Sequence, residues 1–411
     1  GKIAAVSDRP ALKWEFTVLD SAVPRAFSTR AGHVYITRGM IAVMRSESDL
    51  AAVLAHEIAH ICNLDTPREE STTDLIMWSN LGAVIAVQPW ALLLPPVSFA
   101  PAGASIAALS RRNEFNADWH GAEYLRRAGY PRESMSAALE LLASLEAYQR
   151  DHEKLRRHSW WDHRVFASHP DTGKRQKALR GSGTSSNTSP DPIFLSRLDG
   201  LEFGSTSREG IPAGSKRYFP QLNVMIEVPE NWTADMTRDK LWLFAKGRRV
   251  HMSLERVGRG TADDLCDALM SFTNGIALTE IQKASDNGVQ SCTGRSGEPL
   301  RILARRGAVW RVGIVARDED ASVRYVFRVF SAAGSENDPV FLAIARSIES
   351  PGENRPKPPM VRIRTAQEGD TFATLAKSAP GIPNPEAVLR LLNHRYPSGE
   401  PEIGQLVKVI K

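Results

Sequence analysis

Cysteine is scarce in this chain of 411 residues. There are three, Cys62, Cys266 and Cys292, with no paired-cysteine zinc spacing and too few for a disulfide framework. Cys62 reads as a small packing residue, while the spacing of Cys266 and Cys292 leaves open whether they pair in an oxidising compartment. A surplus of one charge sign is also absent: 52 basic residues are interspersed with 47 acidic ones, for a formal net charge of +5. No basic stripe for nucleic acid results, and no nucleic-acid partner is expected. An unbroken hydrophobic run is missing too. Residues 75–110 carry no charged side chain, but Pro89, Pro95, Pro96 and Pro101, with Gly82 and Gly103, interrupt them. Lipid-spanning helices tolerate such breaks poorly, so the run reads as a buried or surface-lying hairpin able to touch membranes or unfolded chains. The opening GKIAAVSDRP has no signal-peptide pattern and reads as the end of a helix already under way, so a start upstream of Gly1 is expected.

What is present is ordinary globular composition, 42% hydrophobic and 24% charged. The length calls for about two or three separate cores. WEFTVLD (14–20) and HVYIT (33–37) read as strands with a turn region between them. Helices follow: ESDLAAVLAHEIAHICNL behind a serine cap, SRRNEFNADWHGAEYLRRAG closed by Gly129 and Pro131, and PRESMSAALELLASLEAYQRD. The Gly/Ser/Pro stretch GSGTSSNTSPDP marks a boundary. Strand-like runs come next, with helical segments near 262–272 and 337–349, the pattern of an antiparallel sheet with packed helices. PGENRPKPP is a stiff connector to a last small unit. The divisions are 1–180, a linker 181–200, an α+β sheet domain 201–350, a linker 351–360 and a C-terminal unit 361–411.

One helix carries the chemistry. In AAVLAHEIAHICNLD, His56 and His60 are four residues apart, about 40° from each other around the helix axis, so both imidazoles reach one ion. The run around them is apolar, and two unliganded histidines with a glutamate on a buried stripe would be costly to leave unpaired. Zinc in a hydrolytic site takes three protein ligands and keeps one open position, and Glu57 would stand beside it as a proton acceptor. In SRRNEFNAD, Glu114 and Asp118 share a helical face. Spacing alone fits either a third ligand with a carboxylate that orients a ligand histidine, or an ordinary solvated face.

In order along the chain, PRAFSTRAGHVYITRGM, ESDLAAVLAHEIAH, SRRNEFNADWHGAEYLRRAGY and SHPDTGKRQKAL resemble zinc metallopeptidase family 48, the family of the CAAX prenyl proteases, HtpX and BepA. The resemblance covers about residues 14–180 and is to the soluble bacterial type. It implies an α+β multidomain protein: a mainly helical zincin domain of gluzincin type, an antiparallel-sheet domain, and a small LysM-like unit suggested by AQEGDTFATLAKSA, RLLN and GQLVKVI. Carried over, His56, His60 and Glu114 become ligands of one zinc ion, Glu57 the general base, and Asp118 the carboxylate behind a ligand histidine. His169 matches a histidine near the metal, either a self-inhibiting fourth ligand or a transition-state donor. A helix-capping loop histidine is the other reading.

The implied activity is zinc-dependent endopeptidase action on misfolded or misassembled envelope proteins in a bacterial periplasm, with anchoring through an upstream segment left open. The alternative is an envelope chaperone or scaffold whose zinc site is gated or structural. Implied partners are polypeptide substrates, an envelope or peptidoglycan contact through the C-terminal unit, and peripheral membrane contact. Two departures mark the chain as divergent: Arg25 stands where family members often carry asparagine, and ICNLD lacks a histidine frequent after the metal helix.

Overall fold

The computed structural model describes residues 1–411 apart from 30, 64–102, 153–171, 173, 176, 178–189, 206, 231, 238, 246–249, 259–263, 274–276, 287, 297–308, 318–319, 332–337, 354 and 380. Residues 75–102 of the apolar run and 181–189 of the linker lie outside the described residues. The chain is mixed α and β in two compact units, one of Gly1–Gly204 with Pro359–Lys411 and one of Ser205–Pro358.

The first unit opens with α1 (Lys2–Ala5) and a sheet of β1 (Glu15–Leu19), β2 (Ala26–Thr29) and β3 (His33–Thr37), in the order β1-β3-β2. β1 runs parallel to β3 and β2 antiparallel to it. The turn expected between the two predicted strands therefore contains a third. β2 has only four residues, too few to display an alternation in sequence. Then come α2 (Arg38–Val43) and α3 (Glu47–Cys62). α3 begins at a reciprocal cap: Ser46 Oγ accepts from the Asp49 amide at 3.1 Å, and Asp49 Oδ2 accepts from the Ser46 amide at 3.2 Å.

α4 (Gly103–Arg127) and α5 (Ser134–Asp151) pack against α3, and α6 (Pro192–Leu198) follows. Gly129, at φ 83°, takes the left-handed conformation that closes α4. Ala51, Ala52, Ala55 and Ala59 of α3 are all buried, and side chains this small let a neighbouring helix lie close. Gly121 completes the approach. A Cβ there would sit 3.2 Å from both Ala55 C and His56 N, and 2.6 Å from Met135 Cε. This crossing sets Glu114 and Asp118, seven and three residues earlier on α4, against the histidines of α3.

The second unit contains β4 (Ile211–Ala213), β5 (Lys216–Phe219) and β6 (Val224–Ile226), a three-stranded antiparallel sheet. Its main sheet has seven strands: β7 (Trp232–Met236), β8 (Lys240–Ala245), β9 (Val250–Gly258), β10 (Leu278–Asp286), β11 (Val289–Ser296), β12 (Val309–Arg317) and β13 (Asp320–Ser331). Their order is β10-β11-β12-β13-β9-β8-β7, antiparallel throughout, as expected from sequence. β8 shows why: Leu241, Leu243 and Ala245 are buried while Lys240, Trp242 and Phe244 are only partly so, the period of a sheet covered on one face. α7 (Leu265–Met270) packs Ala268 and Leu269 against Val312, Ile314 and Val326. α8 (Asp338–Arg346) packs Phe341 and Ile344 with Leu241, Leu243 and Phe327. A disulfide joins Cys266 on α7 to Cys292 on β11, and Cys62 is free.

β14 (Val361–Thr365), α9 (Phe372–Ala376), α10 (Pro385–Leu392) and β15 (Leu406–Ile410) complete the chain and return to the first unit. Val361, Leu389, Val407 and Val409 share one core cluster with Val43, Met44 and Ala52. Lys408, fully buried, donates from Nζ to Ala42 O at 2.8 Å and Met44 O at 2.9 Å. His394 Nε2 lies 2.8 Å from Val43 O. Burial pushes both groups well below their usual pKa, with the neighbouring Arg45 adding to it. Three successive carbonyls ahead of α3 are thus held by side chains more than 340 positions away.

Replacing Gly121 with valine is expected to lower stability by about 1–3 kcal/mol by forcing α3 and α4 apart. Thermal denaturation checks this, and an unchanged midpoint would contradict the close crossing.

Candidate metal centre

The α3–α4 crossing brings His56, His60 and Glu114 together, with one ligand atom from each lying within 4.8 Å of the others. His56 Nε2 and His60 Nε2 are 3.0 Å apart. Glu114 Oε1 is 3.3 Å from His60 Nε2, and its Oε2 is 3.5 Å from His56 Nε2. Two imidazole nitrogens and a carboxylate converging on one point suit a divalent transition metal, zinc among them. His56 and Glu114 are buried and His60 half-buried.

Asp118, almost fully buried, lies behind this group, its Oδ1 3.0 Å from His56 Nδ1. A proton held at Nδ1 leaves Nε2 as the donor atom, which fixes the tautomer a metal needs. Arg175, also buried, grips both carboxylates. Its Nε and Nη2 donate to Asp118 Oδ2 and Oδ1 at 2.7 and 2.6 Å, and its Nη1 is paired with Glu114 Oε2 at 2.8 Å. One guanidinium against two carboxylates leaves a buried excess of one negative charge beside the histidines, an environment suited to a cation.

In the metal-free protein a proton on His56 offsets that charge. Burial by itself lowers the His56 pKa, but the hydrogen bonds to Asp118 and Glu114 outweigh it and hold the imidazole up at about 9. The same contacts with Arg175 and His56 hold the Asp118 carboxyl below its usual range despite the opposing effect of burial.

Glu57 is buried one position along α3 from His56. β2 reaches it. Ser28 Oγ donates to Glu57 Oε2 at 2.9 Å and approaches Glu57 O at 3.1 Å. A cavity beside the site is lined by the polar side chains of His56, Glu57, Asp118 and Arg175 and by the apolar ones of Met40, Val53, Met135 and Leu139. Arg25, one of the two departures noted in the sequence, also lines it.

Of the candidate residues read from sequence, His56, Glu57, His60, Glu114 and Asp118 are brought together, and His169 lies outside the described residues. Sequence reasoning missed Arg175, Ser28 and Gly121. Arg175 sits in the quoted SHPDTGKRQKAL block, but an arginine in a polar run has the look of a solvated side chain. Ser28 lies on the strand whose shortness hid it.

His56, His60 and Glu114, with Glu57 next to His56 on α3, form a donor set able to hold a metal ion. Residues 1–182 match peptidase family M48, and the chain carries a domain of that family over this segment. Mitochondrial metalloendopeptidase OMA1 of Schizosaccharomyces pombe is 44% identical over 59 residues, 14% of this chain and 18% of that protein. A putative beta-barrel assembly-enhancing protease of Vibrio cholerae serotype O1 is 28% identical over 130 residues, 30% of this chain and 27% of that one. Each match spans less than a third of the relative's own length. Among solved structures, a point mutant of the protein Mog1 aligns with a TM-score of 0.26 and 8% identity, covering 33% of this chain and 94% of that one. The Saccharomyces cerevisiae Ran-binding protein Mog1p aligns at 0.24 and 7%, covering 31% and 90%.

Zinc loading is expected to expel the His56 proton, so apparent zinc affinity should fall about tenfold per unit as pH drops from about 9 toward neutrality. Because the folded pKa is raised from 6.5 to about 9, this proton stabilises the metal-free protein fully below pH 6.5, and that stability, about 3 kcal/mol, is lost as pH rises through 9. Calorimetric zinc titrations in buffers of different ionisation enthalpy check this. Uptake at pH 7.5 without proton release would contradict it.

Proposed function

We propose that this chain is a zinc-dependent endopeptidase that hydrolyses peptide bonds in misfolded or misassembled envelope proteins, with His56, His60 and Glu114 as ligands and Glu57 as general base. The observation that carries the reading is the convergence of His56, His60 and Glu114 beside Glu57 inside the M48 segment. Bound there, zinc supplies Lewis acidity, which polarises a carbonyl and acidifies water. Glu57 takes a proton from the attacking water as the oxygen–carbon bond forms, then returns it to the departing amine nitrogen as the carbon–nitrogen bond breaks. Asp118 holds the proton at His56 Nδ1 through both steps, and Arg175 keeps Asp118 and Glu114 in place.

Two features support a polypeptide substrate held in extended form. β2 is an end strand of its sheet in the described order, so its outer edge can pair with a substrate backbone without regard to sequence. The apolar cavity wall suits a hydrophobic side chain, the kind that misfolded chains expose. An extracytoplasmic, periplasmic location is supported by the Cys266–Cys292 disulfide and by the name of the Vibrio relative, which ties that protein to β-barrel assembly. The LysM-like C-terminal segment would supply an envelope or peptidoglycan contact.

Glu57→Gln should retain zinc and lose casein hydrolysis by about 10²- to 10⁴-fold. Hydrolysis persisting at the wild-type rate would overturn the role of Glu57. Zinc uptake with no hydrolysis even by the wild type would favour the scaffold alternative.

A further inference from the structure

Glu57 is held from outside its own helix. Ala26 and Ser28, two residues apart on β2, point to the same face of the sheet, toward α3, while Phe27 points away and stacks on Tyr35 with ring centroids 4.8 Å apart. Ser28 pairs across the sheet with the buried Val34, so its backbone is fixed by the ladder. Its hydroxyl carries a single proton, which lies between Glu57 Oε2 at 2.9 Å and Glu57 O at 3.1 Å. The shorter of the two goes to a carboxylate, where hydrogen bonds are about twice as strong as between neutral groups.

A carboxylate is symmetric until something distinguishes its oxygens. We propose that Ser28 is a positioning residue for peptide hydrolysis, fixing the rotation of the Glu57 carboxylate by engaging Oε2 so that the transferred proton is carried on Oε1. The proposal rests on the hydrolytic reading above. With Oε2 fixed toward β2, the other oxygen points away from the strand, because the two diverge at about 120° from the carboxyl carbon. The proton taken from water and the proton given to the amine then use one atom, and the side chain need not rotate between the two steps. The strand that would pair with a substrate backbone is also the strand that sets the base, so the two are held in register by one four-residue element.

The test compares kcat, KM, zinc content and thermal midpoint for Ser28→Ala, Ser28→Thr, Glu57→Gln and the Ser28→Ala/Glu57→Gln double variant, each in the full zinc-loaded chain. Ser28→Ala should lower kcat about tenfold or more, as expected for loss of a hydrogen bond to a charged group, with KM within about twofold and zinc content unchanged. Threonine keeps the hydroxyl and suits a strand, so Ser28→Thr should restore most of kcat. The double variant should be no slower than Glu57→Gln alone. If Glu57→Gln is inactive while Ser28→Ala keeps the wild-type kcat, Ser28 has no positioning role and the hydrolytic reading stands. If Glu57→Gln itself keeps the wild-type rate, the hydrolytic reading fails first. A Ser28→Ala loss that tracks a lowered thermal midpoint or lost zinc, and that threonine does not rescue, would overturn the proposal in favour of a purely structural tie between β2 and α3.

Discussion

A guanidinium buried between two carboxylates holds the metal centre together. Arg175 makes a two-pronged contact with Asp118 and a third contact with Glu114, and all three side chains are almost fully removed from water. Taking such charges out of water costs several kcal/mol each, and only good mutual geometry offsets it. With Arg175 in place, Asp118 can sit unsolvated behind His56, and Glu114 can face the two histidine nitrogens with one of its oxygens paired to the guanidinium. Without it, two carboxylates of like charge, four residues apart on one helix, would repel each other in a low-dielectric interior. A pair of imidazoles on α3 is therefore only half of the site. The other half is a charge arrangement on α4 that the first unit has to bury.

The route to that burial is steric. Alanines along α3 and the missing side chain at Gly121 bring two helix backbones close enough for short acidic side chains to reach across. From the far side, Lys408 and His394 hold the carbonyls of Ala42, Val43 and Met44, immediately before the Ser46 cap from which α3 starts. The fully buried amino group of Lys408 is bonded to two of these carbonyls where its own segment and the turn it grips share one hydrophobic cluster. The C-terminal segment, separable in sequence by a proline-rich connector, is in contact terms part of the unit that carries the metal helix.

Some of this was legible from residues alone. HEIAH was legible as a candidate metal-binding pair because a spacing of four puts two imidazoles on one face of an apolar helix. The sheet of the second unit was legible because strand-like runs separated by turn residues, KLWLFA among them, follow one another in company with two helical segments. Glu114 and Asp118 had the right spacing, yet spacing could not separate a ligand from a solvated face until the family resemblance was added. Arg175 was opaque because its burial depends on a carboxylate 57 positions earlier. Lys408 was opaque for a similar reason. In QLVKVIK it reads as the polar position of a half-exposed strand, and only the carbonyls of a turn far back in the chain make it a core residue.

The central claim is that His56, His60 and Glu114 hold one zinc ion. The most direct test is zinc content together with zinc X-ray absorption on the full chain and on Glu114→Ala. The account predicts about one zinc per chain, with two imidazole nitrogens and a carboxylate oxygen among its ligands at about 2.0–2.2 Å, and a sharp loss of zinc on replacing Glu114. No zinc in the wild-type chain, or the same zinc content and the same absorption spectrum in Glu114→Ala, would contradict it.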